Sequence, residues 1–328
     1  TGPWGTPESL NDGLVGDSFP PRVAVDGSGN ATVVWRQDYW SLYVGGPINT
    51  GIAVSYAPAG RPWSDASPLF SGGLFSNALA IYDIAVDPYG NVALTWLLET
   101  RGLNPLGFRV SWYPMSRPGT GGGANWFPVV PALSIDRNGN VMVAYRDDSN
   151  PPRFTMAARH LPTGGSWGMP TTISPQTSAE PPPPSATTPK VAGDSDGNFT
   201  ALWLETNVET LHGGVWANRY PAEGPWGNAV LISDGATEAF GPELVVDHLG
   251  NATAVWPERK VGDAADAPRD LYARRAKAGG VWGPPARVSN GESSAGGQQL
   301  IVDRDGNVTT VWIQLDGARW NIWANRYE

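Results

Sequence analysis

Three carboxylates, Asp147, Glu205 and Glu258, occupy one recurring place in this chain. With Gln37, Leu98 and Gln314 they stand two residues after six aromatics, Trp35, Trp96, Tyr145, Trp203, Trp256 and Trp312. Five of the six positions accept hydrogen bonds, so a repeat that arranges them around one opening makes a ring of acceptors. Glycoside hydrolysis needs two acids about 5–10 Å apart, and Asp147, Glu205 and Glu258 could supply such a pair. Close by in sequence lie Arg36, Glu99, Arg146 and Trp40. These offer donors, acceptors and an aromatic plate, the groups that hold a sugar in a concave site. Solvated strand ends are polar as well, so a purely structural reading of the same residues stays open.

Other chemistries find less support. The chain has no cysteine, which removes thiolate nucleophiles, thiolate metal sites and disulfides. Its three histidines, His160, His212 and His248, fall at different points of the repeat. No Gly-x-Ser-x-Gly elbow, His-Glu-x-x-His helix, Walker loop or dinucleotide fingerprint occurs. The net charge of −9 and the lack of any Lys/Arg run argue against nucleic acid or an anionic membrane surface as partner. The most apolar window, SPLFSGGLFSNALAIYDIAV, is broken by Gly, Ser, Asn and Asp, so no membrane insertion is expected.

What must position the acceptors is a repeat. The chain contains VAVDGSGNATVVW, IAVDPYGNVALTW, LSIDRNGNVMVAY, VAGDSDGNFTALW, LVVDHLGNATAVW and LIVDRDGNVTTVW. Their aspartates, Asp26, Asp87, Asp136, Asp194, Asp247 and Asp303, are 49 to 61 residues apart, and each opens an Asp-x-x-Gly-Asn word. Apolar runs on both sides read as two strands joined by a tight hairpin, with Gly at the positive-φ position. Calcium is the competing reading, with Asp194/Asp196 and Asp303/Asp305 as its candidates. The alternating ligands and distant bidentate Glu of a calcium loop are missing from every copy, so the words read as turns and no cofactor is expected.

A second word follows each copy: a β-like run, a turn and a Trp, as in VWANRYPAEGPW and LYARRAKAGGVW. The sixth, IWANRYE, ends before its Trp, and a Trp stands near the other terminus as Trp4. The 25 residues after Asp303 and the 26 that end at Asp26 make up one further repeat. A ring shares a repeat between its ends, whereas an open solenoid needs caps. The expected fold is therefore all-β: a six-bladed β-propeller forming a single domain over residues 1–328, its N-terminal segment of about residues 1–14 completing the C-terminal blade. The long loops, RQDYWSLYVGGPINT, LETNVETLHGG and PERKVGDAADAPRD among them, all fall on the face that the polar strand ends approach, where recognition concentrates. Arg219, Arg275 and Arg326 share one register of the third strand and are expected over the outer tryptophans Trp226, Trp282 and Trp4.

GNVTTVWIQLDGARWNIWANRYE, with GNATAVW and VWANRYPAEGPWG, resembles exported bacterial repeat proteins loosely grouped with sialidase-like propellers. The VAVD-x-x-GN portion also resembles the repeat of six-bladed NHL propellers. The resemblance implies a propeller and a secreted, periplasmic or cell-surface location. Sialidase turns run Ser-x-Asp-x-Gly-x-x-Trp, and their arginine triad and Tyr–Glu pair have no residue-by-residue match here, so hydrolase activity does not carry over. The sequence favours a non-catalytic module that binds a glycan or protein through its long-loop face. A sialidase-like hydrolase or lyase using the mouth acids, and a structural spacer, are the alternatives.

Overall fold

The computed structural model describes residues 6–328 apart from 12–13, 15, 27, 42–45, 71–75, 88, 101–103, 114–121, 128, 151–152, 176–186, 207–211, 223, 265–266, 292 and 318. Trp4 and most of the proline-rich stretch before Thr187 therefore lie outside the described residues. Among those described there is strand and turn but no helix. The chain divides into two compact units, Thr1–Val130 and Pro131–Glu328.

The first unit holds two antiparallel meanders. One runs β1 (Arg22–Val25), β2 (Ala31–Ser41), β3 (Gly46–Ala57) and β4 (Ser67–Phe70). The other runs β5 (Ser76–Val86), β6 (Val92–Thr100), β7 (Asn104–Tyr113) and β8 (Gly122–Phe127). Val34, Ile52 and Val54 of the first sheet pack on Val92, Leu94, Trp96 and Tyr113 of the second.

The second unit holds four sheets. The third sheet is β9 (Ala132–Ile135), β10 (Val141–Asn150), β11 (Arg153–Leu161) and β12 (Thr171–Thr172). The fourth is β13 (Thr187–Gly193), β14 (Phe199–Thr206), β15 (Gly213–Tyr220) and β16 (Val230–Leu231). In the fifth, β17 (Thr237–Ala239) and β18 (Glu243–Val246) both pair with β19 (Ala252–Lys260), which leads to β20 (Asp270–Ala276) and β21 (Ala286–Arg287). The sixth has three strands, β22 (Ala295–Val302), β23 (Val308–Asp316) and β24 (Arg319–Tyr327). Consecutive sheets share cores. Trp203 belongs to a cluster with Met142 and Met156 of the third sheet, Trp256 to one with Leu202 and Val215 of the fourth, and Trp312 to one with Val255 and Leu271 of the fifth. The repeated tryptophan is thus a core residue facing the preceding sheet, and burying so large a ring stabilises each sheet pair by ~2–3 kcal/mol.

Each Asp-x-x-Gly-Asn word is a hairpin turn. Asp194 shows how it closes: its Oδ1 accepts the backbone N–H groups of Asp196 and Asn198, both at 2.9 Å, and its Oδ2 accepts the Asn198 amide at 2.7 Å. Asp26, Asp87, Asp136, Asp247 and Asp303 repeat the pattern, with amide contacts of 2.6–2.9 Å. The Asn has a second task. Its Oδ1 accepts the N–H of Ala59, Thr163, Ala222 or Ala278 in the next hairpin of the same sheet, at 2.9–3.2 Å. Both oxygens of Asp194 and Asp303 are therefore used within their own turns. Among the described residues no group of three His, Asp or Glu side chains is placed to hold a metal.

Arg219 and Arg275 are held by turn carboxylates rather than over Trp226 and Trp282, while Trp4, expected under Arg326, lies outside the described residues. Arg219 donates to Asp194 Oδ2 at 3.4 Å and to the Gly250 carbonyl of the following sheet at 3.3 Å. Arg275 does the same with Asp247 Oδ2 at 3.0 Å and the Gly306 carbonyl at 3.2 Å. Arg326 reaches Asp303 Oδ2 at 3.0 Å. The buried turn carboxylate outcompetes the indole face because a charged hydrogen bond is worth more than a cation–π contact at a half-exposed site. The turns themselves meet closely: a Cβ on Gly250, whose φ is +81°, would lie 2.5 Å from Asp194 Oδ2. Only glycine fits there, by both backbone conformation and space.

Two faces stay uncovered. Val23 and Val25 of β1 are each 62% exposed. In the sixth sheet Ile322 is 76% exposed, although Ile52, Val215 and Leu271 at the same register are 0% exposed. Ile301, Val311 and Ile313 are exposed beside it.

Candidate functional site

The residues two beyond the core aromatic meet the indole N–H. Strand side chains at i and i+2 share a face, so this acceptor lies beside the ring that needs one. Trp35 Nε1 donates to Gln37 Oε1 at 3.0 Å and Trp312 Nε1 to Gln314 Oε1 at 2.9 Å. Trp203 Nε1 donates to Glu205 Oε2 at 2.8 Å, and Trp256 Nε1 to Glu258 Oε2 at 2.7 Å. Leu98 has no acceptor to give, and there the Trp96 indole turns to Ser111 Oγ at 3.1 Å. In the third sheet Tyr145 replaces the tryptophan, and Asp147 Oδ1 accepts the Ser149 N–H at 3.0 Å. Gln37 and Gln314 are fully buried.

Burial makes the two glutamates weak acids. It pushes Glu205 up to about 7, against the pull of the Trp203 indole, which favours the carboxylate. Glu258 is also raised by burial. The bonds from Trp256 and Thr237 and the charge of Arg274 oppose that rise, while Asp234 adds to it. Thr237 Oγ1 donates to Glu258 Oε2 at 3.1 Å.

Next to these acceptors the strand ends carry three clusters of one design: guanidinium, carboxylate and ring. Arg36 Nη2 lies 3.2 Å from Asp38 Oδ1, and its guanidinium sits 3.7 Å from the centre of the Phe19 ring. Arg146 grips Asp148 through Nε at 2.6 Å and Nη2 at 2.8 Å, with the Phe154 ring 5.0 Å away. Arg259 donates from Nε and Nη2 to Glu238 Oε2 at 2.9 and 2.7 Å, and shares the Phe240 ring with Arg269. Backbone bonds hold two of the rings in place: Phe19 N–H donates to the Arg36 carbonyl at 3.0 Å and Phe240 N–H to the Pro257 carbonyl at 2.9 Å. A guanidinium locked on a carboxylate offers donors and acceptors in one plane, the format that vicinal hydroxyls match.

Arg36, Arg146 and the acceptors stand out in the sequence, whereas their aromatic partners Phe19 and Phe154 do not. A signal existed for Phe19 and for Phe240. FPPRVAVD and FGPELVVD each place a Phe seven residues before the turn Asp. The side chains of Trp40 and Glu99 lie outside the described residues. Gln37 and Arg36 belong to the first unit; Asp147, Arg146, Glu205, Glu258 and Gln314 belong to the second.

No protein-family model matches the chain, and no curated protein matches it either. Among solved structures it is similar to a puromycin hydrolase at a TM-score of 0.53 and 12% identity, covering 94% of this chain and 43% of that one. It is also similar to a protein of unknown function from Dyadobacter fermentans, at 0.48 and 12%, covering 97% and 96% of the two chains. The NanB sialidase of Streptococcus pneumoniae follows at 0.43 and 10%, covering 94% and 67%. At such identities the likeness is one of fold. With the six small antiparallel sheets it defines the class: an all-β, propeller-like protein.

Proposed function

We propose that the chain is a non-catalytic, carbohydrate-binding β-propeller that meets its glycan at the strand ends carrying the guanidinium–carboxylate–ring clusters. The observation that carries this reading is the engagement of the acids. Glu205 and Glu258, two of the three acids from which a hydrolytic pair could come, each hold a core indole. The partly buried pairs Arg36–Asp38, Arg146–Asp148 and Arg259–Glu238 then supply the polar groups for recognition.

In this reading residues 1–328 form one domain of six blades, closed into a ring where the sixth sheet meets the first, with residues 1–14 completing the last blade. Closure is supported by the two uncovered faces. Ile301, Val311, Ile313 and Ile322 at one end of the chain, and Val23 and Val25 at the other, are exposed, whereas Ile52, Val215 and Leu271, at the register of Ile322, are covered. Gln37, Asp147, Glu205, Glu258 and Gln314, with Arg36, Glu99, Arg146 and Trp40, then surround a single opening. The protein works outside the cytoplasm, in the periplasm or at the cell surface, without nucleic acid, membrane insertion or calcium at Asp194, Asp196, Asp303 or Asp305.

One observation favours a second reading, a glycoside hydrolase or lyase: a carboxyl with a pKa of about 7, such as Glu205, is a competent proton donor at neutral pH. A glycan array and a panel of chromogenic glycosides, applied to the wild type and Glu205→Gln, separate the two. Gln37 and Gln314 already make the indole bond with an amide, so Gln at 205 keeps the fold. Glycan binding without turnover, retained in the variant, supports the binding module. Turnover that disappears in Glu205→Gln establishes the hydrolase.

A further inference from the structure

At the last position of the third strand the six sheets carry Ala57, Tyr113, Leu161, Tyr220, Ala276 and Tyr327, so three of them present a ring and three do not. The residue following the turn Asn pairs with the last residues of the third strand: Val92 with Tyr113, Phe199 with Tyr220, Val308 with Tyr327, and Ala252 with Ala276. Tyr220 leans towards the preceding sheet, 5.3 Å from the His160 ring and 5.5 Å from the Trp226 ring. Tyr327 also faces backwards and lies 4.6 Å under the Arg275 guanidinium. Between the fourth and fifth sheets Ala276 stands in that position, and a cavity of about 400 Å³ is open there. The cleft that Tyr220 enters measures about 280 Å³.

The walls of the open cleft are those a ring at that position would touch. Arg219, at the register of Arg275, lies on one side, and Trp282, the counterpart of Trp226, on the other. Ala217 and Ile232 form an apolar floor. Two cations line the same space. Arg274 enters no ion pair among the described residues, and its Nε is buried without a hydrogen-bond partner. Lys277, at the rim, is exposed and likewise in no ion pair among the described residues. In a chain of net charge −9, two cations that enter no ion pair among the described residues, beside an apolar slot, suit an anionic ligand from outside.

We propose that this cleft is a binding site for a small aromatic carboxylate. The ligand ring takes the place that Tyr220 has in the preceding cleft, stacked between the Arg219 guanidinium and Trp282. Its acid accepts from Arg274 and faces Lys277. The volume lies within the range of small-molecule sites. The site is separate from the strand ends of the proposed glycan face, so it stands whatever binds there.

The test uses 4-hydroxybenzoate as probe, titrated into the whole protein by calorimetry and ligand-observed NMR. Saturable binding is expected, with phenol, which lacks the acid, at least ~10-fold weaker. Ala276→Tyr places in this cleft the ring that Tyr220 supplies at the same register of the fourth sheet. It should abolish binding and raise the melting temperature. Arg274→Gln leaves the slot open and should weaken 4-hydroxybenzoate ~10-fold or more while changing phenol little. No saturation up to ~10 mM, or binding unaltered in Ala276→Tyr, overturns the proposal. Glucuronate binding tighter than 4-hydroxybenzoate overturns the aromatic assignment in favour of a sugar acid. If Ala276→Tyr fails to fold, Arg274→Gln decides by the acid-specific loss, and equal weakening of phenol counts against the site.

Discussion

At the scale of single residues, the shift of Glu205 has a consequence for stability. Its folded pKa of about 7 lies above the ordinary 4.5, so folding favours the protonated form. The stabilisation is complete below pH 4.5 and is lost as pH rises through 7, where a buried charge remains. The thermal midpoint should fall across that window by the equivalent of up to ~3 kcal/mol. Glu205→Gln should flatten that part of the profile, measured by unfolding at a series of pH values. The turn asparagine allows a second prediction. Asn198→Ala removes the amide bond to Asp194 and leaves the Ala222 N–H without its acceptor, so a loss of ~1–3 kcal/mol is expected in denaturant unfolding. The Asp and Gly of this turn were legible in sequence, because their reasons are local. The second bond of the Asn was not, since its partner lies 24 residues further on.

Strands were the most legible of the elements. Apolar runs flanking six identical turn words gave β1 and β2, and their counterparts, in the right pairing. The division of the fifth sheet's first strand into β17 and β18 was not foreseen; Phe240, Gly241 and Pro242 interrupt it while Phe240 turns under two arginines. The arginine partners were misjudged because the nearest tryptophan in sequence is not the nearest group in space. The approach of one turn to the next depends on how sheets stack, which no single repeat encodes. Arg275 braces two sheets at once, so Arg275→Met should cost ~1.5–3 kcal/mol, while Arg159→Met, whose guanidinium bonds the Gly168 carbonyl at an exposed site and lies 5.9 Å from the Trp167 ring of its own sheet, should cost less. Chemical denaturation of the two variants side by side measures the difference.

For the whole molecule, the two uncovered faces set the expectation. Large apolar side chains exposed together are costly and sticky. If the sixth sheet closes on the first, removing residues 1–14 deprives the last blade of its outer strand. The truncated protein should melt lower, bind a hydrophobic dye and elute as larger species at high concentration. An unchanged melting point and a monomeric profile would count against closure. The candidate site was less legible than the fold. The acceptors two residues beyond each aromatic could be read from the repeat, but their orientation towards the indole depends on how the ring is buried, and Phe19, Phe154 and Phe240 lie outside the repeated words.

The turn asparagines bear on how the protein can be made. Asn30, Asn198, Asn251 and Asn307 each begin an Asn-x-Thr triplet, the acceptor signal for N-linked glycans in eukaryotic secretion. The nitrogen that would carry the sugar is the one that donates to the turn aspartate, at 2.6 to 2.9 Å in these four copies. A host that attaches oligosaccharides during translocation would derivatise an atom the hairpin needs, and material from a yeast or insect-cell secretory route should come out either unmodified at these positions or misfolded.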